Sequence, residues 1–432
     1  LPIKRVKTSA KTLKPAILKG KYQGKKEGVR LKPFSFIHAS DLHLGYAQYG
    51  LEVRRQDFDV AFSELVDKTI QLKPDFMIIA GDLFHQARPS NVTLESTIKS
   101  FKRLKDANIP VLTVDGSHDC APNSITGTIL HPLDSAGLIH HLPRHSGACW
   151  SKPDCCYVYG IPNYRSKYKT AQELPKFTAI NPPNPDPDLC NIFVFHGAVD
   201  LQGVKPPYIE AELSPEQLPD GFAYYAAGHI HEHSLGAFKS GYLAYSGCTE
   251  TADYREGKLQ KGFYHVQVNA KGEVKPEFMM LESPRSFIVI DDQDFTGMSS
   301  SKITEVAVQM VKNYDQENAI LIPILKGTLP VEASRTEVDI GKIRSAAEKA
   351  LLVHPVVQLK ESVVSDEVVR SIFEGEFKDL KTKAFEYFLQ IFQERYSKDE
   401  AEKIAHGALG LIEPLNKRQE EKVRQEIEEL VK

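Results

Sequence analysis

Five short clusters of Asp, His and Ser stand in this chain, each directly behind an apolar run, and these are residue types that hold metal ions. Residues 34–40 lead into Asp41-Leu42-His43, and 76–80 into Gly81-Asp82-Leu83-Phe84-His85. Residues 111–114 lead into Asp115-Gly116-Ser117-His118-Asp119, 192–195 into His196-Gly197, and 224–227 into Gly228-His229-Ile230-His231. A lone Gly-Asp or Gly-His is more often a turn than a ligand. Five in order behind strand-like runs reverse those odds, because ligands of open α/β sheets gather outside the carboxyl ends of strands. Asp41 and His43 are two apart, as are His229 and His231, so on a continuing strand each pair would face one point. Asp, His and a neutral oxygen form a mixed donor set suited to Mn, Fe or Zn rather than to a calcium cage. No Cys stands at these positions, which argues against structural zinc. Seven donors exceed one tetrahedral ion and suit two ions sharing a carboxylate, a device for phosphoryl transfer.

The elements that must position these residues are legible in outline. At 432 residues the chain exceeds one compact core, so two or three domains are expected. The formal net charge of −3 gives no whole-chain argument for nucleic acid. Residues 1–32 carry many Lys and Arg against the single acid Glu27 and read as a basic arm, either steering toward a polyanion or simply solvated. Over residues 33–284, Val/Ile/Phe-rich runs alternate with helix-like stretches such as 53–72 and 91–106, an α/β pattern. The Pro/Asn/Asp-rich stretch 182–188 is a loop. Residues 285–362 form a small α+β unit, with strands at 287–290 and 319–325 and helices at 303–313 and 340–351.

Residues 363–432 read as helical. Phe377, Leu380, Ala384, Phe388 and Phe392 keep helical spacing, and Phe385 and Leu389 widen the stripe. Ser397-Lys398-Asp399-Glu400 has the form of a capping box, and Gly407, Gly410 and Pro414 are expected to break the helix it starts. This segment either docks another protein or packs on the second domain. The six cysteines show no CxxC spacing, so reduced, intracellular thiols are expected. No apolar run is long enough for a bilayer span and none has the form of a signal peptide, so no membrane partner is expected.

In their order, Asp-x-His, Gly-Asp, Gly-x-His-Asp, His and Gly-His-x-His resemble the motifs of the calcineurin-like metallophosphoesterases. More narrowly, three stretches look like the Mre (meiotic recombination eleven) family of double-strand-break repair nucleases. They are Asp41-Leu42-His43-Leu44-Gly45-Tyr46, Gly81-Asp82-Leu83-Phe84-His85 with Arg88-Pro89, and Tyr224-Tyr225-Ala226-Ala227-Gly228-His229-Ile230-His231. Tyr245-Ser246-Gly247 with Thr249-Glu250, and Lys261-Gly262-Phe263-Tyr264, continue the likeness, which covers about residues 33–285. The remainder matches that family only in order and kind. Phe84-His85 and the short connection from Gly81 to Gly116 look archaeal.

The resemblance implies an α/β fold, a two-sheet sandwich flanked by helices, with a small α+β capping domain that binds DNA and a C-terminal helical segment that binds the Rad ATPase. It implies one ion held by Asp41, His43, Asp82 and His231, and another by Asp82, Ser117, His196 and His229, with Asp82 as the bridge. The ions would be Mn, with Mg, Fe or Zn as alternatives. His118 would be the catalytic histidine near the scissile phosphate, Asp119 would orient its ring through a hydrogen bond, and His85 would position the strand end. DNA ends would be the substrate, and a homodimer would form around residues 91–106 and 124–138. The implied location is cytoplasmic and chromosome-associated, or nuclear in a eukaryote.

One departure is sharp: the family has Asn where this chain has Ser117, and a serine hydroxyl is a shorter and poorer neutral ligand. Either one ion is bound more weakly, with water filling the gap, or the chain is a less active variant. Gly197, where relatives often have Gln, touches no ligand side chain, and Cys248, where they commonly have a small residue, reads as packing rather than chemistry. Tyr157, Tyr159 and Tyr164 with Arg165, Lys167 and Lys169 form a basic, aromatic loop that faces DNA or is merely solvated. His38, His131, His140, His141 and His145 are given ordinary core or surface roles. Two rivals remain beside the nuclease: a small-substrate phosphatase, indifferent to DNA, and a DNA-bridging scaffold with an impaired centre, which binds strongly but cleaves little.

Overall fold

Runs such as Phe76–Ala80 and Val111–Val114 are apolar at nearly every position, the pattern of parallel strands covered on both faces. In the computed structural model, which describes residues 31–120, 127–330, 333–361, 380–393, 396–416, 422–424 and 427, they are central strands. The basic arm, apart from residues 31 and 32, and the stretch 362–379 with Phe377 lie outside the described residues.

In chain order the first elements are β1 (Phe34–Ala39), α1 (Glu52–Leu72), β2 (Phe76–Ala80), α2 (Asn91–Asp106), β3 (Val111–Val114), α3 (Leu130–Ser135) and β4 (His140–His141). There follow β5 (Cys149–Lys152), β6 (Cys156–Gly160), α4 (Lys167–Ile180), β7 (Cys190–His196), β8 (Tyr224–Gly228), β9 (Ser234–Phe238), β10 (Gly241–Tyr245), β11 (Gly262–Val268) and β12 (Val274–Met280). One six-stranded sheet has the order β12-β11-β1-β2-β3-β4, the other β5-β6-β7-β8-β10-β9. Strands β1, β2 and β3 run parallel, as do β6, β7, β8 and β10.

Strand alternation assigns every core residue to a layer. Phe36, Phe76, Ile78, Leu112 and Val114 meet Val158, Ile192, Val194, Tyr224 and Ala226 between the sheets. Their neighbours Ile37, Ala39, Met77 and Ile79 face outward onto Phe62 and Leu65 of α1 and Phe101 and Leu104 of α2. On the far side, Phe193, Phe195 and Tyr225 pack with Leu174 of α4. The fold is therefore the expected α/β sandwich flanked by helices. Buried His38 ties the two sheets together: its Nε2–H donates to Ala227 O (3.2 Å), and its Nδ1 accepts from the Tyr224 hydroxyl (2.9 Å). Burial lowers its pKa to about 3, so it is the neutral core histidine expected.

A third, smaller sheet comprises β13 (Phe287–Ile290), β14 (Ile320–Thr328), β15 (Leu352–Val353) and β16 (Val356–Lys360), accompanied by α5 (Ser300–Asn313) and α6 (Ile340–Arg344). The helix expected over 340–351 stops at Arg344. The reason is local: the Asp315 carboxylate accepts from the N–H groups of Glu348, Lys349 and Ala350, which diverts those donors from a helical ladder. Helices α7 (Leu380–Gln393) and α8 (Lys398–Asn416) follow. The Ser397 capping box forms as expected, with Ser397 N–H and Oγ–H both donating to Glu400. Contrary to expectation, α8 runs unbroken through Gly407, Gly410 and Pro414. Ala401 and Ala405 are fully buried on it and His406 meets the Phe385 ring, so packing against α7 outweighs weak propensity. By compactness the chain divides into one unit of Leu1–Ile290, Asn313–Ile322 and Ala347–His354, and a second of Asp291–Lys312, Pro323–Ala346 and Pro355–Lys432. All seven expected ligands lie in the first.

Candidate metal centre

Each ligand cluster begins where a parallel strand ends, and the loops beyond β1 and β2 stay paired. Asp41 N–H donates to Gly81 O, His43 N–H to Asp82 O, Leu44 N–H to Leu83 O and His85 N–H to Leu44 O, all at 3.0 or 3.1 Å. Asp41 and His43 do converge, together with His231, but not on a continuing strand, and His229 falls in none of the donor clusters, its ring facing His196 instead. Asp41, His43, Asp82 and His229 adopt positive φ of 53°, 46°, 52° and 96°, left-handed conformations that non-glycine residues rarely hold. The backbone coils at the strand ends, and that coiling aims the side chains inward. Gly81 (φ 85°) and Gly116 precede ligand positions for a second reason: a Cβ on Gly81 would press on the His196 ring, and one on Gly116 would collide with the Asp82 carboxylate.

Donor atoms of Asp41, His43 and His231 lie within 4.8 Å of one another, and so do those of Asp41, Asp82 and His196. Nε2 of His43 and Nε2 of His231 face each other at 3.1 Å, and the latter lies 3.8 Å from Asp41 Oδ1. His196 donates Nδ1–H to Ala80 O (2.9 Å), which directs its Nε2 to within 3.3 Å of Asp82 Oδ2. That Nε2 is buried without a hydrogen-bond partner. Asp82 also accepts from His118 N–H (2.7 Å) and from the Ser117 hydroxyl (3.3 Å). Asp41 accepts from His229 N–H with both oxygens, and the His229 ring stands edge-on to His196 with centroids 5.4 Å apart.

The electrostatics suit cations. Burial would raise the Asp82 pKa, but His196, His43 and His118 outweigh it and hold the carboxyl far below its ordinary range. Burial, joined by neighbouring rings, pushes His43 well below its usual value and takes His229 to about 4, so both are neutral donors at neutral pH. Two clusters of carboxylates and imidazoles, one with an orphaned buried nitrogen, fit a pair of divalent cations. Asp41 is common to both clusters, whereas Asp82 belongs to one.

The expected catalytic residues divide. His118 lies in the centre: its ring meets His43 edge-on at 4.8 Å and His85 at 5.1 Å. His85 stacks on Tyr46 with centroids 3.8 Å apart, and burial followed by His118 lowers its pKa to about 4. Asp119 does not orient the His118 ring; the ring Nδ1–H donates to His85 O (2.7 Å) instead. Asp119 is fully buried and accepts from the backbone N–H groups of Leu83, Phe84 and Gly116 at 3.1, 2.9 and 3.1 Å. It therefore staples the loop carrying Asp82 to the loop carrying Ser117. Asp119→Ala would orphan all three donors and is expected to cost roughly 3 kcal/mol or more of stability, read as a lower denaturation midpoint. An unchanged midpoint would show that the staple is idle.

Sequence reasoning missed three supports. Glu256 accepts from His231 Nδ1–H (2.6 Å), Asn163 Nδ2 donates to His196 O (2.8 Å), and Tyr46 carries the His85 ring. Glu256 and Asn163 stand outside every motif, and Tyr46 stands at the end of the first one without a role that spacing reveals. Asp115, inside the third cluster, points away and pairs with buried His141 at 2.7 Å.

Residues 34–233, which include all seven expected ligands, match the model of the calcineurin-like phosphoesterase family. The DNA double-strand break repair protein Mre11 of Archaeoglobus fulgidus is 29% identical over 342 residues, 72% of this chain and 72% of its own length. That of Methanocaldococcus jannaschii is 33% identical over 248 residues, 54% of this chain and 62% of its own length. That of Saccharolobus solfataricus is 28% identical over 384 residues, 84% of this chain and 92% of its own length. Residues 34–233 thus match the calcineurin-like phosphoesterase family, and the chain is, over much of its length, distantly homologous to archaeal Mre11 repair proteins.

Proposed function

We propose that this chain is a Mn-dependent DNA nuclease, a 3′-to-5′ exonuclease and endonuclease acting with the Rad ATPase in double-strand-break repair. The observation that carries this reading is where the centre opens. His85, Gln86, Ala87, Ser117, His118 and Arg165 line a cleft of about 520 Å³ that contains no acidic side chain. Such a cleft favours a polyanion over an uncharged substrate.

In this reading Asp41, His43, Asp82 and His231 hold one cation, and Asp82, Ser117, His196 and His229 the other. When bound, the pair supplies Lewis acidity for in-line displacement at phosphorus. Because the His118 Nδ1–H is committed to His85 O, its Nε2 is left to hold or deliver a proton at the departing oxygen. The stacked His85 and Tyr46 rings offer a flat wall for the terminal nucleotide. Arg165 stands at the cleft, and exposed Lys167, Tyr168 and Lys169 follow it, a track for the strand leading away. Residues 285–362 cap and bind the duplex, residues 363–432 take the ATPase, and a second copy docks around 91–106 and 124–138 on the chromosome. A second reading, a DNA-bridging scaffold with an impaired centre, is favoured by Ser117, whose hydroxyl is spent on Asp82.

Mn-dependent cleavage of a 3′-overhang duplex tests the proposal. Turnover of nitrophenyl phosphates with indifference to DNA would replace it with a phosphatase, and tight DNA binding without cleavage would favour the scaffold. Arg165→Ala is expected to raise the KM for DNA and to lower the slope of log affinity against log salt by about 1. An unaltered salt slope would remove Arg165 from the DNA path.

A further inference from the structure

Behind His231 stands a group of charged side chains that the seven ligands do not include. The His231 Nδ1–H donates to Glu256 Oε1 at 2.6 Å, while its Nε2 faces the centre. Glu256 is the last residue of a 3-10 turn, Tyr254–Glu256, and its second oxygen is also committed. Oε2 accepts from Ala252 N–H (3.1 Å) and from Lys261 Nζ (3.4 Å), and the Cys248 thiol lies 3.5 Å away. Lys261, only 6% exposed, reaches back to Cys248 Sγ at 3.1 Å. The carboxylate is thus locked from both sides and aimed at one imidazole.

The other rings of the centre with a hydrogen-bond partner at Nδ1, His196 and His118, both donate to neutral carbonyls, those of Ala80 and His85. Among these hydrogen-bonded rings of the described residues, His231 is the one whose Nδ1–H meets a carboxylate. We propose that Glu256 is the positioning residue of His231, and that Lys261 holds it there. It fixes the tautomer that leaves Nε2 free and lends negative charge to one of the two cation positions, which makes that position the tighter. Glu256 touches no reacting atom and is not a catalytic residue. The inference rests on His231 as a metal ligand, not on the nuclease activity.

The test titrates the full chain with Mn2+ by calorimetry, wild type against Glu256→Gln, with thermal melts of both apoproteins and ring 15N spectra of His231. Glutamine keeps the shape and one acceptor oxygen but gives up the charge and the second oxygen's contacts with Ala252 N–H and Lys261, so the apoprotein should still fold cooperatively and melt a few degrees lower. The tighter binding step should weaken by about 10- to 100-fold, the other should hardly move, and the His231 signal should lose its single Nδ1–H form. Lys261→Met, which frees the carboxylate without removing it, should weaken the same step less. Unchanged affinity in Glu256→Gln, or equal loss at both steps, would overturn the proposal. A wild type that binds no Mn2+ would remove His231 as a ligand and the proposal with it. Failure to cut DNA while Mn2+ still binds in two unequal steps would count against the nuclease alone.

Discussion

Asp82→Ala is expected to abolish Mn-stimulated phosphodiester hydrolysis, by about a thousandfold or more, since several kcal/mol of transition-state stabilisation depend on the cations this carboxylate would hold. Three groups of the centre converge on this carboxylate: the His118 N–H, the Ser117 hydroxyl and His196 Nε2 all lie within 3.3 Å of it. Its negative charge is the principal influence drawing the buried His196 up to about 10 against burial, so its removal also leaves that ring without its counter-charge. Asp82→Asn separates the two effects. Asn tolerates the positive φ of 52° and keeps a hydrogen-bond acceptor, so the fold should persist while the cation is lost. Thermal melts and Mn2+ titration beside the assay distinguish the cases. Full activity in either folded variant would sink the assignment of Asp82, and with it the bridge.

Why the centre was largely legible in the sequence follows from how it is built. The runs before Asp41, Asp82, Ser117, His196 and His229 are strands because they are apolar, and they are parallel and adjacent because both faces are covered. Five carboxyl ends then meet at one edge, so an ordered list of motifs maps onto one place. What the sequence concealed is backbone and partner choice. The left-handed turns at Asp41 and His43 are set by hydrogen bonds to a loop forty residues away, not by local preference. Asp119 looked like a partner for His118 because it is adjacent, yet adjacency on a tight loop turns the two side chains apart. Glu256 lies twenty-five residues beyond His231 in a stretch with no periodic signal, so only the folded chain brings it to the ring. The failed break in α8 is similar: Gly407, Gly410 and Pro414 carry the right local signal, and packing on α7 overrides it.

Ser117→Asn is expected to raise Mn-dependent cleavage by about tenfold or more, and to tighten the Mn2+ step that involves His196 and His229, since each good charge-assisted ligand contact is worth about 1.5–3 kcal/mol. The hydroxyl of Ser117 donates to Asp82 Oδ2 at 3.3 Å, so its hydrogen points at the carboxylate that a cation would need. An amide oxygen sits one bond further from the backbone and offers a stronger dipole with no proton in that direction. Room is not limiting, because Ser117 lines the open cleft rather than the core. Ser117→Ala completes the comparison. If the serine is a weak ligand, alanine should lower activity several-fold and asparagine should raise it. If the serine merely braces Asp82, alanine and asparagine should both lower it, because both remove the hydroxyl. Equal activity in all three would mean that three ligands and a water suffice at that position, and that the departure at residue 117 leaves the chemistry untouched.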